Sequence, residues 1–192
     1  MTDLHYIPTS EGLRDMVCPG PIGGNNGSTT YAYSPSTRLM YVPVIESCMS
    51  LTKEGSEMKP GDPSFGGSLG DSDATLGTAY GHLTAIDPAS GKIHWSYKDR
   101  YPMVGGALAT AGGVVFTGNQ EGYALALDDS SGKVLWKFQT GSGIRSQPIT
   151  YRIDGRQYVA IGSGTGGLAV SVVGQPERVT LGSALIVFAL PK

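Results

Sequence analysis

The sequence predicts an all-β chain forming part of a β-propeller, and two observations carry that expectation. The first is a repeat: Ala85-Ile-Asp-Pro-Ala-Ser-Gly-Lys-Ile-His-Trp95 recurs 41 residues later as Ala126-Leu-Asp-Asp-Ser-Ser-Gly-Lys-Val-Leu-Trp136. Alanine, aspartate, glycine, lysine and tryptophan fall at the same five offsets, and a period of this size is one propeller blade. The second is composition. Glycine supplies 29 of 192 residues, about twice the average share, and charged residues only 16%. That mixture suits many short strands joined by tight turns. The chain is expected to make about three and a half blades, so residues 1–192 read as one partial propeller with open edges.

Residues 1–30 are turn-rich, with Cys18-Pro-Gly-Pro-Ile-Gly-Gly-Asn-Asn-Gly27 too broken for regular structure. Residues 29–34 and 38–45 are predicted strands around Pro35-Ser36. A third, eroded copy of the repeat is expected at Ala32 to Val42, with Pro35 at the place of Pro88 and Val42 at that of Trp95. Residues 46–77, rich in glycine, proline, serine and charge, read as an insertion loop inside a blade. Strands are then expected at 82–87 and 92–98, 106–110 and 113–118, and 123–128 and 133–140. Further strands are expected at 145–153 and 156–163 around Asp154-Gly155, a hairpin dipeptide. Leu185-Ile-Val-Phe-Ala-Leu190 closes the chain as a buried strand. Each motif joins the third and fourth strands of its blade. Its glycine meets a φ > 0 demand, its aspartate caps the turn, and its tryptophan docks between blades, so Trp95 and Trp136 are both expected to be substantially buried.

Composition also excludes functions. A formal charge of −2 leaves no basic patch for nucleic acid. No stretch approaches 18 uninterrupted apolar residues, so no membrane span is expected. Asp3, His5, Glu11, Arg14 and Asp15 break any signal-peptide hydrophobic region, which leaves a cytoplasmic protein or the downstream part of something longer. Asp71 and Asp73 lack further ligands at EF-hand spacing, and His5, His82 and His94 are scattered, so neither a metal loop, a zinc site nor a nucleophile–base pair is expected. Cys18 and Cys48 are the only cysteines. Their spacing alone allows a disulfide or two free thiols.

The ordered pieces Cys18 to Asn26, Tyr33-Ser-Pro-Ser-Thr-Arg-Leu-Met-Tyr-Val-Pro43, Glu46-Ser-Cys-Met49, Gly105 to Gly118, Asp154-Gly-Arg-Gln-Tyr-Val-Ala160 and Ala184 to Pro191 resemble the PQQ-dependent (quinoprotein) alcohol dehydrogenases. The likeness runs over most of residues 16–191 and corresponds to the C-terminal third of a member. It implies an eight-bladed ring locked by tryptophan-docking motifs, with PQQ in the axial funnel beside Ca²⁺ or a lanthanide. It implies an alcohol substrate, a cytochrome or other electron acceptor, and a periplasmic location. Carried over residue by residue, Asn26 matches a PQQ-contacting asparagine, and Cys18 and Cys48 match a structural disulfide. Val104 and Leu168 stand where members place tryptophans near the cofactor.

The departures are informative. Gly27 replaces a usual tryptophan, so together with Val104 and Leu168 three aromatic positions near the cofactor are empty. The family's catalytic aspartate and metal ligands belong to its upstream region, so no catalytic or metal-binding residue is assigned to this chain. No haem-attachment motif follows the last strand. The resemblance therefore implies a segment that is inactive alone. The alternatives are a non-enzymatic scaffold with PQQ-type repeats, of the outer-membrane assembly kind, and a half-propeller that self-associates through its open edges.

Overall fold

The computed structural model describes residues 12–20, 23–24, 29–53, 60–61, 67–72, 78–164 and 182–190. They form fourteen strands and no helix. Strands β2 (Ala32–Ser34), β3 (Leu39–Glu46), β6 (Tyr80–Ile86) and β7 (Ile93–Asp99) make one antiparallel four-stranded blade in that order. Strands β8 (Leu108–Thr110), β9 (Val114–Gly118), β10 (Tyr123–Asp128) and β11 (Val134–Gln139) make the next. A third sheet has three strands, β12 (Ile149–Ile153), β13 (Arg156–Ser163) and β14 (Ala184–Ala189). The innermost strands β2 and β8 of the two complete blades lie side by side, as they do around a propeller axis. The architecture is an arc of a few blades.

The repeated motif does the same thing twice. In each copy the aspartate closes the turn between the third and fourth strands: Asp87 accepts from Ala89 N at 2.9 Å and Ser90 Oγ at 2.7 Å. Asp128 accepts from Ser131 N at 2.9 Å and from the Ser130 and Ser131 hydroxyls at 2.7 Å. These bonds favour the ionised form and hold both carboxyls below the usual carboxylate range. Gly91 and Gly132 both adopt φ of +71°, the left-handed region open to glycine at little cost. Ala85 pairs with Trp95 and Ala126 with Trp136, each followed by a bulge.

Blade-to-blade packing supplies the core. One face of the first blade presents Tyr41, Leu83 and Ala85 to Val115, Leu125 and Leu127 of the second. The opposite face of the second presents Phe116, Ala124 and Ala126 to Val159 and Ile161 of the third sheet. β9 and β10 are thus buried on both sides, which is why they are near-continuous apolar runs rather than alternating ones. Trp95 crosses the first interface. Its indole Nε1 donates to the Asp129 carbonyl at 3.0 Å, and the Tyr41 hydroxyl donates to the same oxygen at 3.0 Å. A Cβ on Gly132 would fall 2.5 Å from the Trp95 ring, so the glycine that makes the turn also makes room for the indole.

Four expectations need correction. Trp136 is not buried like a core residue: it is 37% exposed, with Phe188 edge-on at 4.8 Å and Phe138 stacked at 6.1 Å between centroids. Its blade is succeeded by a sheet of only three strands, and no described residue plays toward it the part that Asp129 and Gly132 play toward Trp95. The eroded third copy is not a docking motif, because Ala32 to Val42 spans β2 and β3, the first and second strands of its blade. The closing strand is not buried, since Leu185 is 72% and Val187 46% exposed. The segment 46–77 does leave the blade between β3 and β6, but it is no plain loop. It contains β4 (Met49–Lys53) and β5 (Gly67–Ser72), which join β1 (Gly12–Val17), within the supposedly turn-rich start, in a separate three-stranded sheet. The Asp154-Gly155 hairpin is as expected, with φ of +49° and +78° at its two turn residues.

The asymmetry between the tryptophans is measurable. Trp95→Ala should cost about 3 kcal/mol in urea unfolding, as for a partly buried aromatic with a hydrogen bond, and Trp136→Ala about half as much. Equal losses would contradict the difference in docking.

Candidate wall of the axial funnel

Three loop segments meet at the inner ends of the blades. Glycine makes the meeting possible: a Cβ on Gly105 would lie 2.6 Å from the Gly118 carbonyl, and one on Gly106 would collide with Thr30 Oγ1. The close approach is then tied by hydrogen bonds. Ala107 N donates to Thr30 O at 2.9 Å, Gly106 N to Ser146 O at 3.3 Å, and Thr117 Oγ1 to Gly106 O at 3.0 Å. Gln147 Nε2 reaches Ala107 O at 3.3 Å. Every blade therefore lends backbone to the same inner wall.

A buried polar buckle fixes the outer end of the 100–107 turn. Asp99, 8% exposed, accepts from Tyr101 N at 3.1 Å and from Asn119 Nδ2 at 2.9 Å. Asn119 Oδ1 accepts from Tyr123 N at 2.9 Å, while its carbonyl accepts from Ile144 N at 2.9 Å. Gln120 Nε2 donates to Pro102 O at 3.2 Å. Beside this carboxylate, burial and then the Asp99 charge push the Tyr97 phenol up to about 12.

Cys18 and Cys48 form a disulfide with Cα atoms 4.5 Å apart, within the range for such bonds. The bridge clamps the Cys18 segment to the end of β3. Gly20 N donates to Ser47 O at 2.8 Å, and Gly24 and Ile45 exchange backbone bonds of 2.7 and 2.9 Å. Asn26 lies outside the described residues, but the chain is anchored on both sides of it, at Gly24 on β3 and at Thr30 on Ala107. Val104 is in the 100–107 turn and only 6% exposed, packed among the chain's own residues next to fully buried Met103. Leu168 also lies outside the described residues. Gly164 and Gly182, on either side of it in sequence, border an open cavity of about 820 Å³ with Ser146, Gly162, Ser163 and Leu185.

This lining is neutral: serine hydroxyls, glycine backbone and aliphatic carbon. Among the described residues no group of three His, Cys, Asp or Glu side chains could hold a metal ion. His82 is paired, Nε2 to Glu46 Oε1 at 2.9 Å and Nδ1 to Thr84 Oγ1 at 2.5 Å, with Thr84 Oγ1 3.2 Å from Ser96 Oγ. This chain of polar side chains lies on the blade face turned away from Trp95. The Asp99–Asn119 buckle gave no signal in the sequence beyond the turn residues Gly118 to Gly122.

Comparison with known proteins adds what the chain is similar to. A family model for the glucose/ethanol/alcohol dehydrogenase β-propeller domain matches residues 97–159. The resemblance to the quinoprotein alcohol dehydrogenases holds. The quinoprotein alcohol dehydrogenase PedH of Pseudomonas putida is 38% identical over 188 residues, 95% of this chain and 31% of that protein. The lanthanide-dependent methanol dehydrogenase of Methylorubrum extorquens is 41% identical over 154 residues, 80% of this chain and 26% of that protein. In three dimensions, a europium-containing methanol dehydrogenase superposes with a TM-score of 0.77 at 30% identity, covering 93% of this chain and 35% of its own. The chain thus spans about 30% of the length of the relatives it matches.

This geometry has two measurable outcomes. Reducing the disulfide, or replacing Cys18 and Cys48 by serine, should lower stability by about 3–4 kcal/mol in the chain-entropy model for a loop closed over 30 residues, read by urea unfolding with and without reductant. The raised Tyr97 pKa stabilises the fold fully below pH 10 and ceases to do so as pH climbs from 10 through about 12. The wild type should therefore lose more stability than Tyr97→Phe across that window, and parallel pH curves would remove Tyr97 as a cause.

Proposed function

We propose that this chain is the C-terminal segment of a periplasmic PQQ-dependent alcohol dehydrogenase that oxidises alcohols to aldehydes. The observation that carries the reading is the alignment of 95% of the chain with a protein about three times its length. When bound, PQQ supplies the two-electron acceptor, and a Ca²⁺ or lanthanide ion polarises its quinone oxygen. The chain's own part is positional. Asn26 offers an amide to the cofactor from a segment clamped at the disulfide, at Gly24 and at Thr30. The turn that carries Val104 borders the cofactor through its backbone, and no aromatic side chain stands at 27, 104 or 168 to stack on it. The catalytic base and the metal ligands come from the rest of the ring, and a cytochrome or another acceptor takes the electrons. The disulfide fits an oxidising compartment such as the periplasm.

Alcohol oxidation needs a base about 2.6–3.2 Å from the hydroxyl proton, and no residue here is assigned that role. The 192-residue chain, given PQQ, Ca²⁺ or a lanthanide, and ethanol, should not reduce a dye acceptor and should bind PQQ weakly. Production together with the remaining blades should give turnover, and Asn26→Ala should then raise the PQQ concentration needed for half-maximal activity about tenfold or more. Metal-dependent turnover by the chain alone would overturn the proposal.

A further inference from the structure

The two complete blades join their second and third strands differently. In the second, β9 runs into β10 through residues 119–122, where Asn119 N donates to Tyr123 O at 3.1 Å and Gly122 N to Asn119 O at 3.2 Å. In the first, β3 reaches β6 only after residues 47–79, which carry β4 and β5. Connections within a compact domain are short as a rule, and the long ones usually serve function. Ile45 pairs with Gly81 of β6 on one side and is bridged to Gly24 on the other. The segment leading to Asn26 thus takes the inner flank of β3, the flank that β2 holds farther down. The same two stretches of chain stay together beyond the blade. Gly20 N donates to Ser47 O, Cys18 is bonded to Cys48, Val17 pairs with Met49 and Gly12 with Lys53. β5 flanks β4 on its other side. The blade itself stops where Glu46 pairs with Tyr80 and Gly81 with Asp99, the end from which the 100–107 turn departs. The sheet β1–β4–β5 therefore continues the first blade past its funnel end by the five residues of β4, about 16 Å of strand, with β1 following the inner flank.

This continuation is built as a wall. A Cβ on Gly20 would lie 2.8 Å from Met49 Cβ, one on Gly23 2.7 Å from Ser47 O, and one on Gly70 would collide with Ser50 Oγ, so three glycines let the strands close up. Val17 and Met49 are buried, and the disulfide staples the sheet to the Asn26 segment. We infer that β1–β4–β5 is a fixed collar on one side of the funnel mouth, and that it sets how bulky an alcohol reaches the cofactor. The inference rests on the dehydrogenase reading and deepens it. A wall standing clear of the reacting carbon does not touch an alcohol as small as ethanol, but it meets the far end of a long or branched one. Its effect falls on kcat/KM for the bulky substrate alone.

The test uses the chain produced together with the remaining blades. Met49 and Ser72 are antiparallel partners, so residues 50–71 can be replaced by an Asn-Gly turn that keeps the disulfide and the Cys18 to Gly24 clamp. This shortened chain should raise kcat/KM for 2-ethyl-1-hexanol about tenfold or more while that for ethanol stays within about twofold. A bulky tertiary alcohol, which has no hydrogen on its carbinol carbon to transfer, should bind about tenfold more tightly by calorimetry, a readout free of turnover. Ethanol oxidation with an unmoved ratio of the two alcohols would overturn this inference alone. Equal losses for both alcohols would make the sheet a stability element and overturn it too. No oxidation of any alcohol by the assembled ring would remove the dehydrogenase reading, and the collar with it. If the shortened chain does not assemble, Gly70→Val, which wedges β5 from β4, must move the same ratio in the same direction by about threefold, and an unmoved ratio there counts equally against the collar.

Discussion

The bond from the Trp95 indole to the Asp129 carbonyl is the contact on which the arc depends. It joins the outer strand of one blade to the turn of the next, and the surrounding groups serve it. Tyr41, with no exposed surface, donates to the same oxygen and is itself 2.7 Å from Thr37 Oγ1. Ser34 Oγ reaches the Asp129 carboxylate at 3.4 Å. Gly132 leaves space for the ring, and Asp128 holds the turn that presents the carbonyl. A carbonyl has two lone pairs, and here both are used, by two aromatic side chains of the neighbouring blade. The interface is therefore specified in direction as well as in hydrophobicity, which fixes how one blade is rotated against the next.

That rotation decides what happens at the axis. Strands held in this relation bring Thr30, Gly106 and Ser146 within hydrogen-bonding distance, and only glycine at 105 and 106 permits the approach. The meeting of these segments is thus mostly backbone, set by blade geometry and by the absence of side chains at 105 and 106. The Asp99–Asn119 buckle and the disulfide fasten the two segments that packing alone does not hold, the 100–107 turn and the stretch from Cys18 to Gly24.

Much of this was legible in the sequence, and the reasons for the rest are physical. The Asp-x-x-x-Gly-Lys spacing announced the turns because the demand for φ > 0 and the aspartate cap are local. Asp154-Gly155 announced its hairpin for the same reason. β1, β4 and β5 escaped notice because they carry glycine, serine and charge, and their pairings join residues far apart in the chain, such as Gly12 with Lys53. The acceptor for Trp95 could not be read at all, since it is a main-chain carbonyl whose position depends on the neighbouring blade. Residues 32–42 misled because a Pro-Ser turn between two strands looks the same whichever strands of the blade it joins. Nor could the buckle be read, since Asp99 and Asn119 are ordinary turn residues until the fold sets them 2.9 Å apart. For the candidate site, the disulfide was implied by resemblance and is present, whereas Asn26 and Leu168 lie outside the described residues.

Trp95 and Trp136 show how far a local code extends. Their motifs share turn, register, bulge and capping, and differ only in the neighbour that each meets along the ring. Before a complete blade the indole finds a carbonyl and a glycine shelf. Before a three-stranded sheet it leans on Phe138 and Phe188 and keeps 37% of its surface in water. In a structure whose units contact only their neighbours, stability is approximately a sum of unit and interface terms. The first interface here is complete and the second is partial.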